Sequence, residues 1–335
     1  MGLSASIEAA SKFVSSHSGL KDSSALFLVA TSTIIVAATV FYRLVLADKG
    51  GEFLDRERKF LTIGDIEQVS HDTKRFRLRF PSNKMVLGLP CGKHFRIYMK
   101  NPNKGRETWN RRPDTEKNLE EIERQYTPLT GNEVNGYVDL VVKCYRKGDV
   151  KMPDGQVVSW TDGGKVSGYL DELKVGDKLC VNGPYGRVNY RGNGLFKTPT
   201  CLKQYKNVGM MAGGSGLTPM FQIAKYAIDN DTVSDIKFSL IYANKTEDDI
   251  LCRDLLDELA ARSNGRFKVE YTVDFPPQNW KYSTGFINVD MIKRYLPAPV
   301  SDTLILMCGP PPMVKFACQE NLQKLGYETK DTAAF

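Results

Sequence analysis

Histidine is scarce in this chain. Only His17, His71 and His94 occur in 335 residues, and their wide spacing argues against a zinc site. The seven cysteines, at positions 91, 144, 180, 201, 252, 308 and 318, are odd in number and include no C-x-x-C pair. That pattern disfavours a disulfide framework and suits reduced thiols in a cytosol-facing protein. No strip of interleaved basic and aromatic residues is present, and the net charge of +7 is spread along the chain, so nothing reads as a nucleic-acid footprint. A mild basic excess does suit an acidic protein partner, by steering its approach. With 41% hydrophobic and 25% charged residues, the length leaves room for two hydrophobic cores.

One long uncharged run stands out, residues 25–42, ALFLVATSTIIVAATVFY. As a helix it would span about 27 Å, close to a bilayer core of about 30 Å. Arg43 can snorkel at the interface while residues 44–47 extend the span. A cleavable signal peptide is the rival reading, but a largely polar stretch precedes the run and no small-x-small cleavage site follows. Lys21 lies before the run, whereas Arg43, Lys49, Arg56, Arg58 and Lys59 lie after it, which orients the bulk of the chain to the cytosol. Met1-Gly2-Leu3-Ser4-Ala5-Ser6 also matches the loose M-G-x-x-x-S acylation pattern, a short match that arises easily by accident. The expected division is an N-terminal segment (1–24), an anchor (25–47), a tether (48–59), a barrel domain (60–195), a linker (196–207) and an α/β domain (208–335).

Residues 60–80, 134–145 and 178–183 read as short strands, and Gly136, Gly148, Pro153-Asp154-Gly155 and Gly163-Gly164 supply turns between them. Little helix is expected there, which favours a small closed antiparallel barrel. His94 falls on one of these strands as a structural, hydrogen-bonded residue rather than a base. Within the barrel, Arg124-Gln125-Tyr126-Thr127-Pro128 brings together a guanidinium, a hydroxylated ring, a small hydroxyl and a φ-locked proline. A nucleotide with a diphosphate and a flat ring needs that combination. Val141 to Tyr145 is a strand with alternating faces, and on residues alone an edge strand with a solvated lysine is the rival reading. Gly163-Gly164-Lys165-Val166-Ser167 opens a helix whose bare N–H groups suit a phosphate, although Ser167 could serve simply as an N-cap.

The second half alternates strands at 208–212, 236–243, 267–273 and 303–307 with helices near 220–228, 247–262, 288–295 and 311–325. That alternation predicts a parallel α/β sheet with ligands at the strand carboxyl ends. Gly213-Gly214-Ser215-Gly216-Leu217-Thr218-Pro219 follows the first of these strands. Its glycines admit a pyrophosphate to the backbone, Thr218 is placed to cap the helix, and Pro219 suits its first turn. Pro219 stands where G-x-G-x-x-G needs its last glycine, so this is not the ordinary Rossmann fingerprint. Asp274 ends another strand, where it either accepts from a ribose and repels a 2′-phosphate or simply closes a turn. Cys308-Gly309-Pro310-Pro311-Pro312-Met313 ends the last clear strand.

These motifs, in this order, resemble the R-x-Y-T-P, G-G-K-x-S, G-G-x-G-x-T-P and C-G-P-P-P-M motifs of the ferredoxin reductase superfamily, and within it the NADH–cytochrome b5 reductases. The resemblance covers about residues 57–335. It implies a membrane helix followed by an antiparallel six-stranded β-barrel FAD domain and a parallel-sheet nicotinamide domain. Hydride would pass from NADH to FAD, then single electrons to cytochrome b5 or a similar small acidic haem protein. By the same resemblance FAD is held by Arg124, Tyr126, Thr127, Pro128, Val141, Lys143, Tyr145, Gly164, Lys165, Val166, Ser167 and Thr218. NADH is held by Gly213, Gly214, Gly216, Asp274, Cys308, Gly309 and Pro310. Thr127, Thr218 and Cys308 sit at the reacting edge, with Cys308 as a positioning thiol, and the terminal Phe335 is expected near the flavin.

No H-P-G-G haem signature occurs in the chain, so the acceptor is a separate protein, with Lys93, Lys143, Lys165 and Arg187 as candidate docking cations. A monomer on the endoplasmic reticulum or mitochondrial outer membrane, facing the cytosol, is the expected setting. A related flavoreductase for a quinone or iron chelate, or a non-catalytic flavoprotein scaffold, would carry the same motifs. One departure is clear: residues 101–123 form a longer polar connection than the resemblance leads one to expect, and they read as a solvated loop.

Overall fold

The computed structural model describes residues 50–231 and 235–335. The expected anchor at 25–47 and the acylation pattern at Gly2 lie outside the described residues. Among the described residues no helix is long and apolar enough to cross a membrane.

The first half contains β1 (Lys59–Ser70), β2 (Thr73–Arg79), β3 (His94–Lys100), a hairpin of β4 (Thr108–Trp109) and β5 (Arg112–Pro113), β6 (Glu121–Tyr126), β7 (Tyr137–Lys143), a second hairpin of β8 (Gly148–Lys151) and β9 (Val157–Trp160), helix α1 (Lys165–Glu172) and β10 (Lys178–Tyr185). Six of the strands form one antiparallel sheet in the order β6-β3-β10-β1-β2-β7. Its two edges meet where Leu129 N–H donates to the Asp139 carbonyl at 2.9 Å. The period-two pattern explains the curl. In β2, Phe76 and Leu78 are fully buried while Arg75 and Arg77 point away, and that alternation defines an inside.

β7 is buried on both faces, and this strand links the fold to the site. Val138, Leu140 and Val142 pack into the barrel core. On the opposite face, Asp139 takes a bidentate pair from Arg77 at 2.8 and 2.7 Å, Val141 joins the core of the second half, and Lys143 reaches Asp249 there at 2.9 Å. β7 is thus an edge of the sheet, but its lysine is paired rather than solvated.

A three-stranded antiparallel sheet follows, β11 (Asn189–Tyr190), β12 (Leu195–Lys197) and β13 (Leu202–Gln204), occupying much of the stretch expected as a plain linker. The second half then runs β14 (Asn207–Gly213), α2 (Leu217–Asn230), β15 (Lys237–Asn244), α3 (Arg253–Arg262), β16 (Phe267–Val273), β17 (Ser283–Thr284), α4 (Val289–Tyr295), β18 (Thr303–Cys308), α5 (Glu320–Lys324) and β19 (Thr332–Ala334). Before α5, Met313–Gln319 forms a wider π-type helical turn. The sheet is parallel, in the order β17-β16-β15-β14-β18-β19. Strand β14 pairs with both β15 and β18, so connections leave it in opposite directions. Such a switch point opens a crevice at the strand carboxyl ends, and Ala212 lies opposite Cys308 there.

Candidate active site

A cleft of about 1600 Å³ runs between the outer face of β7 and the carboxyl ends of β14, β15 and β18. That exceeds the roughly 300–1,000 Å³ of a pocket for one small ligand and leaves room for two nucleotides side by side. Its walls include Arg124, Tyr126, Thr127, Val141, Lys143, Tyr145, Gly164, Lys165, Val166, Ser167, Gly213, Gly214, Gly216, Thr218, Asp274, Cys308, Gly309, Pro310 and Phe335. Residues about 200 positions apart in sequence thus share one surface. Pro128 is buried behind it and does not line the cleft.

On the α/β side the site is mostly backbone. Gly214–Gly216 forms a single 3-10 turn leading into α2. A Cβ on Gly216 would lie 2.2 Å from the Cys308 carbonyl oxygen, so only glycine lets the β14 and β18 loops come this close. Gly214 takes φ +52 with open space beside it. Thr218 does not cap the helix. It lies inside the first turn, where its hydroxyl donates to the Ser215 carbonyl at 3.4 Å, and the N-cap Gly216 has no side-chain partner. Burial pushes the Cys308 thiol up to about 11, which keeps it protonated and fits a positioning group rather than a nucleophile. Burial likewise raises Asp274 above the ordinary carboxylate value, and its backbone N–H donates to the Asn244 carbonyl at 3.1 Å.

On the barrel side the site is dense in charge. Lys143 Nζ lies 2.8 Å from Asp72 and 2.9 Å from Asp249. Burial opposes its charge, but these bonds outweigh burial and raise its pKa. With His71 close by, the two carboxylates gather around the point a metal ion would take, and the ammonium already fills it. Tyr145 packs against Trp160 with ring centroids 4.9 Å apart and the planes tilted by 41°. Burial raises the Tyr126 phenol well above its usual range.

Helix α1 starts without a side-chain cap at Gly164, so its first-turn N–H groups have no partner within the helix. Ser167 is not the cap; its hydroxyl accepts from the Tyr145 N–H at 3.3 Å. Lys165 contributes backbone here and not its charge. Its side chain is only 4% exposed, and Nζ bonds both Asp114 oxygens at 2.8 and 2.7 Å and Glu116 at 3.0 Å. Neither Lys143 nor Lys165 is therefore free to face a docking partner, whereas Arg187 is exposed and Lys93 half-buried.

The 101–123 connection is largely exposed, but it is organised by three buried polar residues, Asn101, Asn103 and Asp114. Asn103 is buried and donates to Asp114 at 2.6 Å and to the carbonyls of Arg106 and Thr108. Asn101 holds the carbonyls of Glu116 and Leu119. Asn110 and Arg111 turn the β4–β5 hairpin at φ 49 and 60, and its tip grips the start of α1. Trp109 Nε1 donates to the Gly163 carbonyl at 2.8 Å, and Asn110 exchanges hydrogen bonds with Asp162.

The comparisons with known proteins agree with this geometry. Residues 61–190 match the oxidoreductase FAD-binding domain model, and residues 210–319 match the oxidoreductase NAD-binding domain model. NADH-cytochrome b5 reductase 2 of Xenopus laevis is 43% identical over 90% of this chain and 97% of its own length. The Homo sapiens NADH-cytochrome b5 reductase 1 is 44% identical over 82% of this chain and 84% of its own. The chain belongs to the NADH-cytochrome b5 reductase family. The cytochrome b5 reductase domain of Ulva prolifera nitrate reductase superposes with a TM-score of 0.73 at 38% identity, covering 85% of this chain and all of that domain.

The residues of this family member fit the nucleotides that its two matched domain models name. His94 Nε2 is buried without a partner among the described residues, facing a cleft that its ring lines. Burial, reinforced by Arg96 and Lys93, holds the imidazole neutral with a pKa of about 4. The expectation of a hydrogen-bonded structural histidine is therefore not met at Nε2 among the described residues. A Cβ on Gly164 would come within 2.2 Å of Ser167 Oγ and 3.1 Å of the Tyr145 Cβ, so the approach to the bare helix start stays narrow. Sequence reasoning missed Trp109, Asp114, Glu116 and Asn244. Asn244 ends β15, lines the cleft and keeps both amide atoms buried without a partner among the described residues. Its place at a strand carboxyl end was the available signal.

Proposed function

We propose that this chain is an FAD-dependent NADH–cytochrome b5 reductase held to a membrane by residues 25–47. The observation that carries the reading is the joining of both nucleotide motifs at one cleft, in a chain 43% identical to such a reductase over nearly its whole length. FAD, when bound, accepts the hydride of NADH and releases electrons singly to a one-electron acceptor.

The chain's own residues supply binding and alignment. Arg124 and the start of α1 take the FAD diphosphate. Tyr126, Thr127, Val141 and Tyr145 lie along its ring and ribityl chain. The Gly213–Gly216 turn, Gly309 and Pro310 receive the NADH nucleotide, and Cys308 abuts its nicotinamide as a neutral thiol. Neutral His94 and the hydroxyls of Thr127 and Thr218 offer hydrogen bonds at the reacting edge without adding charge. Asp274 favours the free 2′-hydroxyl of NADH over a 2′-phosphate. Asn244, beside it, offers one donor and one acceptor to the same nucleotide.

The uncharged run at 25–42 and the basic residues after it support an anchor with the catalytic part facing the cytosol, on the endoplasmic reticulum or mitochondrial outer membrane. A shared membrane raises the effective concentration of an anchored acceptor. Anaerobic NADH titration of the purified full chain tests the cofactor assignment: stoichiometric bleaching of a bound flavin is expected, and absence of flavin would defeat it. Flotation with liposomes tests the anchor, since the full chain should float and a version lacking residues 1–49 should not.

A further inference from the structure

The 101–123 connection places two carboxylates against the cations of the FAD site, and the geometry says what they do there. Glu116 bonds the terminal edge of the Arg124 guanidinium, Nη1 to Oε1 at 2.7 Å and Nη2 to Oε2 at 2.9 Å. The second Nη1 hydrogen goes to the Glu123 carbonyl at 2.7 Å. A guanidinium has five donors in two usable edges. These bonds fill the terminal edge and leave the side edge, Nε with the remaining Nη2 hydrogen, without a partner among the described residues. That side edge is itself a fork that matches two phosphate oxygens.

The same Glu116 also bonds Lys165 Nζ, the residue that opens α1. One carboxylate therefore ties together both parts of the diphosphate site, the arginine on β6 and the helix start. Asp114 completes the brace by holding the buried Lys165 ammonium through both oxygens. The brace is itself anchored, through the bonds from Asn103 to Asp114 and from Trp109 to Gly163. The hydrogen bond from Arg124, joined by the Lys165 contact and only partly opposed by burial, leaves Glu116 below its ordinary carboxylate pKa, so it is charged at neutral pH.

We propose that the 101–123 connection is a brace for the FAD diphosphate, in which Glu116 is a positioning residue that presents the side edge of Arg124 to the phosphates. The proposal rests on the assignment of FAD to this cleft. Two effects of Glu116 oppose each other. Its negative charge weakens the field of Arg124 at a phosphate, while its two bonds fix a long side chain that would otherwise lose rotamer freedom on binding. The Arg124 side chain is 43% exposed, so water screens the first effect. The second does not depend on screening. Positioning therefore wins, and the sign of the Glu116 effect on FAD affinity is the decisive quantity.

The test is a double-mutant cycle on the full chain, reading FAD dissociation constants by flavin fluorescence after removal and re-addition of FAD. Glu116→Gln should weaken FAD binding about tenfold or more, in the range expected for a lost charge-assisted contact. In an Arg124→Lys background, where no two-edged fork remains, the same substitution should change affinity less than about twofold. Unchanged or tighter FAD binding in Glu116→Gln would overturn the proposal and make the carboxylate inert or a competitor. Equal losses in both backgrounds would also overturn it, by showing that Glu116 acts only through Lys165 and the fold. Failure of the unmodified chain to bind FAD would instead defeat the cofactor assignment.

Discussion

The two walls of the cleft are built on opposite principles. The barrel wall is a lattice of paired charges: Lys143 on Asp72 and, across the cleft, on Asp249 of the other wall, Arg124 on Glu116, and Lys165 on Asp114 and Glu116. The nicotinamide wall carries glycines, prolines, a neutral thiol and few charges, with Asp274 the one picked out by sequence. A preorganised charged wall suits a cofactor that stays, because its ordering cost is met during folding rather than at each encounter. A backbone wall suits a substrate that comes and goes, because close approach needs little side-chain rearrangement. The contrast teaches that substitutions on the barrel wall should act on stability and cofactor retention, and those on the other wall on NADH kinetics.

The largest effect is expected at the most buried ion pair. Asp114→Asn removes the nearer of two carboxylates held by a lysine that is 4% exposed; breaking a buried pair from one side costs about 3 kcal/mol when no partner remains, and the retained Glu116 brings the expected loss to about 2 kcal/mol. Thermal or urea unfolding should register that loss, and a change below about 1 kcal/mol would show that the brace is not load-sharing. Next comes the opposite wall. Gly216→Ala would put a methyl 2.2 Å from the Cys308 carbonyl. We expect kcat/KM for NADH to fall about tenfold or more, from a strain cost of roughly 1–3 kcal/mol, with flavin content retained. Loss of flavin together with NADH activity would erase the distinction between the walls.

A smaller change is expected from Asp274→Ser. A direct charge pair is worth roughly 4 kcal/mol at 4 Å and an effective dielectric near 20, and nearer 1 through water. The ratio of NADPH to NADH kcat/KM should therefore rise about fivefold or more, and an unchanged ratio would reassign Asp274 to turn closure.

The smallest effects concern pH. Burial pushes Asp114 up, but bonds from Lys165 and Asn103 prevail and bring it down to about 2, below an unfolded value near 3.9. The unfolded chain thus takes up the proton first as pH falls. The stability from this group is complete above about pH 4 and is lost as pH drops toward 2. Asp114→Asn should flatten that part of the acid stability profile, and a profile identical in slope to that of the unmodified chain would refute the assignment.

Much of this molecule was legible from sequence because its signals are local. Strand β16 coincides with the expected 267–273 stretch, since an apolar run ending in a turn has few alternatives. The G-G-S-G-L-T-P and C-G-P-P-P-M loops fall at adjacent strand ends because parallel topology brings strand carboxyl ends together. What escaped was set by tertiary partners. Residues 101–123 look solvated because they are polar, yet Asn101, Asn103 and Asp114 are buried by bonding one another and the chain around them. Lys143 and Lys165 look like surface cations, and nothing in sequence pairs them with Asp249, 106 residues away, or Asp114, 51 residues away. His94 reads as hydrogen-bonded because it falls on a strand, and nothing in the sequence shows that its Nε2 is buried without a partner among the described residues.

The most direct test of the central claim is sequential-mixing stopped flow on the purified full chain, with NADH first and oxidised cytochrome b5 second. The account predicts rapid loss of oxidised flavin absorbance, followed by reduction of two haem proteins for each NADH consumed. Flavin that bleaches but leaves the haem oxidised would contradict cytochrome b5 as the acceptor, and a flavin that NADH does not bleach would contradict the shared cleft itself.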